Sequence, residues 1–113
     1  MSKVLRIAEL RSRATAFVLR EMGVSYTELV SKRRQAHLVA ARALFVWIVK
    51  SHGPEFLSFP TIGRWLGGRD HTTVMHSWKN TAPALREHDR GFRLLCDRFA
   101  EQAAKAEEAE TCH

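Results

Sequence analysis

Asp70, His71, Thr72, Thr73, His76 and Ser77 fall within eight consecutive residues. Acid, imidazole and hydroxyl groups at that density suggest three chemistries. A nucleophilic relay needs aspartate, histidine and serine to converge on one point beside an oxyanion hole. A short helix cannot converge these side chains, and no oxyanion-hole context accompanies them. A metal site on a helix needs two ligands four residues apart on one face. His71 and His76 are five apart, so no metal, cofactor or small-molecule substrate is expected. The third chemistry is the reading of base edges. It needs small, uncharged hydrogen-bonding groups on a helix slim enough to lie in a major groove, and these residues meet that need. A threonine methyl can pack on a thymine methyl, a histidine can donate to guanine or thymine, and Asp70 can accept from cytosine N4.

The spacing also places these groups. At about 100° per residue, Val74, Met75 and Trp78 fall on one side of a helix, and Thr72, Thr73, His76, Ser77 and Asn80 on the other. Asp70 reads as its N-cap, and the free N–H groups at the helix start suit a phosphate. Gly67-Gly68-Arg69 joins it to a preceding short helix over about Phe59 to Leu66. Ser58 caps that helix and Pro60 sits in its first turn. Two short helices around a glycine turn form a helix-turn-helix. The second should span His71 to Thr81, and Pro83 should kink or interrupt the helix beyond it.

The rest of the pattern is helical. Residues 3–22 carry Ile7, Leu10, Ala14, Phe17 and Val18 in one apolar stripe that ends at Gly23. Ser25 to Glu28 is a capping box opening a short helix through Leu29 and Val30. Ser31-Lys32-Arg33-Arg34-Gln35 is a basic connection. The stretch from about Ala36 to His52 is apolar nearly all round, which marks a central helix, and Gly53-Pro54 ends it. A last helix over about Asp89 to Ala106 turns Phe92, Leu95, Cys96 and Phe99 inward. Trp47 and Trp78 read as core residues, and Trp65 flanks the inner positions. No strand signal stands out. The expected fold is all-α, a small bundle of five to six helices containing a helix-turn-helix. The expected division is an amphipathic helix over 1–22, the helix-turn-helix domain over 23–106, and a frayed tail over 107–113.

Composition narrows the classes further. A chain of 113 residues with 45% hydrophobic content suits one small packed domain. Residues 1–50 hold ten Lys/Arg against three Asp/Glu, and residues 51–113 hold eight against nine. That asymmetry favours an anionic partner. No apolar run reaches the length of a membrane span, so membrane contact is not expected. The start of the chain has no signal-peptide pattern. Cys96 and Cys112 make no disulfide framework and read as reduced thiols in a cytoplasmic protein.

Gly67-Gly68-Arg69-Asp70-His71-Thr72-Thr73-Val74-Met75-His76 closely resembles the signature of the C-terminal DNA-binding domain of the bacterial replication initiator DnaA. Leu29-Val30-Ser31-Lys32-Arg33-Arg34 looks like that family's basic loop, and Phe59-Pro60-Thr61-Ile62-Gly63 like its short helix. The resemblance covers about residues 15–100. It implies binding to double-stranded nine-base-pair DnaA boxes, with the signature helix in the major groove. By position Arg34 matches the minor-groove arginine, and Asp70, His71 and Thr72 match the major-groove readers. Thr73, Arg69 and Lys32 match phosphate or supporting contacts, and Arg42 a base-contacting arginine early in the long helix. Arg33, His76 and Ser77 complete the expected DNA-binding set. There are departures. Val39-Ala40-Ala41 and Ala43 stand where the family is commonly Arg/Pro-rich or polar. The loop Ser51–Leu57 looks about two residues longer than in familiar members. Ser77 replaces an alanine that sits beside a thymine methyl. These departures imply an altered or relaxed box preference.

The chain carries no G-x-x-x-x-G-K-[ST] phosphate loop. Its nearest approach, Gly63 to Asp70, lacks the lysine and the hydroxyl. The expected protein is therefore not an enzyme. It binds duplex DNA in the cytoplasm, at the nucleoid, and regulates replication initiation or transcription without ATPase activity. The competing reading is a helical protein-interaction module that kept the fold and lost box recognition, supported by the alanines at 40, 41 and 43. The first helix is the segment that a protein partner would use.

Overall fold

A computed structural model describes residues 6–111, with side chains as far as Ala106. The described residues form α1 (Ile7–Met22), α2 (Tyr26–Val30), α3 (Ala36–His52), α4 (Phe59–Trp65), α5 (His71–His76), a π-helical turn (Ser77–Thr81), α6 (Ala82–His88) and α7 (Arg90–Thr111), with no strand among them. α5, the π turn and α6 run on without a break, so the bundle has six helical rods. The expected all-α helix-turn-helix architecture is what forms.

Residues 36 to 52 are apolar on nearly every face, and α3 accordingly runs through the centre. It buries Leu38, Ala41, Arg42, Ala43, Leu44, Phe45, Val46, Ile48 and Val49. α1 lays Leu10, Ala14, Phe17 and Val18 against it. The stripe of the first helix therefore belongs to the same core. α7 packs on α3 and α6. The Phe17 and Phe99 rings meet edge-on at 5.3 Å, and Phe45 meets Trp65 edge-on at 6.5 Å. Trp47 stacks at a tilt on Trp78, 5.0 Å between centroids. All three tryptophans thus take part in packing, and Arg86 lies 4.7 Å over Trp47. Cys96 is buried beside Phe92 and Phe99. No described helix is long and apolar enough to cross a membrane.

The helix ends obey local chemistry. Ser25 accepts from the Glu28 N–H while the Glu28 carboxylate accepts from the Ser25 N–H, which is the expected capping box. Ser58 caps α4, with Pro60 in its first turn. Gly53 ends α3 by donating its N–H to the Val49 carbonyl. Lys50 Nζ donates to the Leu57 carbonyl at 2.9 Å, and Leu57 is buried, which anchors the long 53–58 loop to the core.

The α-helical run ahead of Pro83 is interrupted, as expected, by the π turn Ser77–Thr81. The backbone stays right-handed from His76 through Ala82, and the Ala82 N–H bonds the Ser77 carbonyl five residues back. A proline removes one donor and crowds the carbonyl four residues before it. The wider π turn ahead of Pro83 accommodates both effects. At the other end, α7 continues to Thr111 and so takes in residues 107–111. The expected start of α1 at residue 3, and the thiol and imidazole of Cys112 and His113, lie outside the described residues.

His52 closes α3 half-buried, its ring 5.0 Å from that of Phe99. Burial pushes its pKa below the ordinary histidine value. The folded chain then binds this proton less readily than the unfolded chain does. Stability should fall as pH drops below about 6.5 and level off below the depressed pKa. Thermal unfolding between pH 7.5 and 5 checks this, and His52→Gln should flatten the acid-side decline.

Candidate nucleic-acid interface

The turn between α4 and α5 is built by close backbone approach. The Gly63 carbonyl accepts from the N–H groups of Leu66, Gly68 and Arg69 at 3.1, 3.0 and 2.9 Å. A Cβ on Gly63 would stand 2.2 Å from the Arg69 carbonyl oxygen, so only glycine lets the turn fold back this far. Gly67 has φ +82° and would bring a Cβ to 2.6 Å from the Val30 carbonyl oxygen. The turn is therefore pressed against the end of α2. The stretch Gly63 to Asp70 is the end of α4 and this turn.

Asp70 then caps α5, its Oδ1 accepting from the Thr72 N–H at 3.3 Å. That bond, with a side-chain bond to Thr72 and the nearby His71, holds the Asp70 carboxyl below its ordinary value. His71 Nδ1 lies 3.0 Å from the same carboxylate oxygen. His71, Thr72, Thr73 and His76 are exposed, Ser77 is half-buried, and Val74 is buried under them. Helical periodicity thus separates a polar outer face from an inner one. His76 Nδ1 also lies 3.4 Å from the Thr81 hydroxyl across the π turn.

The second component is the loop from Ser31 to Gln35. Lys32, Arg33 and Arg34 are exposed. Among the described residues, no hydrogen bond or ion pair holds their side chains. A groove of about 560 Å³ runs between this loop and the helix-turn-helix. Lys32 and Arg34 line one side, and Arg69, Thr73 and Ser77 the other. The structure therefore brings together basic groups and small polar groups more than thirty residues apart in sequence. Asp70, His71, Thr72 and His76 stand outside that groove.

Arg42 departs from its expected base-contacting place. It is buried, 7% exposed. Its Nε donates to the Leu29 carbonyl at 2.8 Å, Nη1 to that of Arg33 at 2.7 Å, and Nη2 to those of Ser31 and Glu28 at 2.8 and 3.2 Å. Backbone carbonyls at the end of α2 thus occupy most of its donors. Position in the resemblance points to DNA, but a lone arginine within the apolar run Leu38–Val49 is itself the signal of a buried guanidinium. Arg69 is half-buried and donates to the carbonyls of Leu66, Ser31 and Leu29 at 2.5, 2.6 and 3.3 Å. Burial pushes both guanidinium pKa values down. The neighbouring Arg69 adds to this for Arg42, and Arg34 adds to it for Arg69. Tyr26 is a residue the sequence did not single out. Its hydroxyl donates to the Trp65 carbonyl at 2.9 Å and accepts from Arg11 at 3.1 Å, tying α1 and α2 to the end of α4.

A family profile described as "Bacterial dnaA protein helix-turn-helix" matches residues 12–80. The chain belongs to this family. Its helix-turn-helix is a DNA-binding module of the DnaA type. The chain is 48% identical over 60 residues to the chromosomal replication initiator protein DnaA of Rhizobium johnstonii, covering 53% of this chain and 12% of that protein. It is 43% identical over 106 residues to DnaA of Bartonella quintana, covering 91% of this chain and 20% of that protein. It is also 43% identical over 60 residues to DnaA of Rhodopseudomonas palustris, with coverages of 53% and 12%. The chain therefore spans between about one-eighth and one-fifth of the length of these DnaA relatives. No solved structure matches. The profile match runs from α1 through the π turn, so the basic loop, the groove and the polar face of α5 all lie within the DnaA-like region.

Proposed function

We propose that the protein binds duplex DNA sequence-specifically at DnaA-box-like sites, regulating replication initiation or transcription at the nucleoid through binding alone. The juxtaposition across the groove carries this reading. An exposed cationic loop and the Thr73 and Ser77 side of the capped helix flank one concave surface, and Asp70, His71, Thr72 and His76 stand outside it on the same helical rod. The helix can present Asp70, His71 and Thr72 to base edges in the major groove, with Thr73, His76 and Ser77 further along. Lys32, Arg33 and Arg34 can meet phosphates and the adjacent minor groove, with Arg34 as the arm that enters it. No nucleotide chemistry is assigned to the chain. Ser77, where the DnaA family usually has alanine, adds a hydroxyl beside the groove and should shift the preferred site. The outer face of α1, with Leu19 52% exposed, is where a protein partner would be sought.

Selection of bound sequences from a random duplex pool, then titration at two salt concentrations, tests the reading. Enrichment of a box-like sequence supports it. Absence of binding at low salt would instead favour a module that kept the fold and lost DNA recognition, in line with Ala40, Ala41, Ala43 and the inward Arg42. Arg33→Ala should weaken binding to selected and random duplex by the same factor. It should also reduce the slope of log K against log salt by about 0.9, the signature of one lost phosphate contact. Unequal weakening would move Arg33 from phosphate to base.

A further inference from the structure

Arg42 and Arg69 reach the same backbone from different elements. Arg42 comes from α3 and Arg69 from the turn before α5, and both donate to the carbonyls of Leu29 and Ser31. Arg42 adds the carbonyls of Glu28 and Arg33, and Arg69 adds that of Leu66. Apart from Leu66, which ends α4, these carbonyls lie where α2 ends and the basic loop begins. The end of a helix carries partial negative charge, which suits cations. Among the described residues, no carboxylate is a hydrogen-bond partner of either guanidinium, so backbone carbonyls hold two like charges together. The planar fork of arginine makes several such bonds at once, and a lysine cannot reproduce it.

We propose that Arg42 and Arg69 are positioning residues. Together they clamp the Lys32–Arg34 loop to the helix-turn-helix turn, and that clamp sets sequence discrimination by holding the minor-groove arm in register with α5. The inference rests on the DNA-binding reading above. The physical basis is preorganisation. The loop and α5 must engage one duplex at a fixed separation, and a loop ordered beforehand loses less entropy on binding. Gly67, pressed against the Val30 carbonyl, closes the same contact from the turn side.

Arg42→Lys and Arg69→Lys test the clamp, since both keep the charge and keep a trypsin site at the mutated position. In the free protein, trypsin should cut the Lys32–Arg34 loop about tenfold faster in either variant, because local opening sets that rate. The ratio of affinities for selected over random duplex should fall by about tenfold. Affinity for random duplex should fall by a smaller factor than affinity for the selected duplex, since lysine keeps the positive charge that phosphates meet. Unchanged loop cleavage in both variants overturns the clamp. A loosened loop with an undiminished ratio overturns its role in discrimination. If Arg42→Lys does not fold, Arg69→Lys, which is only half-buried, decides alone. If the parent chain itself shows no discrimination, the functional reading falls, and the cleavage rates alone decide whether the clamp orders the loop.

Discussion

His71→Ala and Thr72→Ala are each expected to lower the preference for a selected box over random duplex by about 10- to 100-fold, equivalent to about 1–3 kcal/mol for one good base contact. Affinity for random duplex should change little, because that term comes from phosphates. Both side chains are exposed at the start of α5. Neither contributes to the core, so stability should hold and the loss is attributable to recognition. His71→Ala removes the imidazole beside Asp70 but leaves the Asp70 cap on the Thr72 N–H intact. Competition titrations with labelled box against random duplex measure the ratio. An unchanged ratio for both variants would mean that α5 does not read bases.

Gly63→Ala is expected to destabilise the fold by about 3 kcal/mol or more, from overpacking and the loss of buried hydrogen bonds. The added methyl would meet the Arg69 carbonyl oxygen at 2.2 Å and its carbon at 3.2 Å. Both belong to backbone, which cannot rotate away as a side-chain tip can. Moving it would break the bonds from Gly68 and Arg69 to the Gly63 carbonyl, and those bonds define the turn. Gly68→Ala is the matched comparison. Its φ is +82° but nothing lies within 4 Å of an added Cβ, so it should cost only the left-handed strain of about 1–2 kcal/mol. Denaturant unfolding of the two variants measures the difference. Equal losses would place the tightness of the turn in its dihedral angles rather than in the Gly63–Arg69 approach.

Much of this molecule is legible in its residues. Ser25, Ser58 and Asp70 announce three helix starts, because short oxygen-bearing side chains satisfy free N–H groups locally. The apolar stripes of α1 and α7 and the all-round apolarity of α3 fix which faces meet. Pro83 is harder to read. Its local effect is a missing donor, but whether a helix kinks or widens depends on its packing. Here the turn that carries Trp78 packs against α3 and stacks on Trp47.

The sequence by itself determined the helical class, the capped polar helix from His71, the cationic loop at Lys32–Arg34, and the resemblance to DnaA. Each of these depends on residues close together in the chain. Only the tertiary structure decided that the loop and α5 flank one groove, and that Arg42 faces inward. Those outcomes depend on contacts between distant segments, such as the Ser31 carbonyl bonded by Arg69 across 38 positions. A guanidinium reads the same in a sequence whether it faces a phosphate or a buried carbonyl. Which of the two it meets is set by the end of a helix that folding brings beside it.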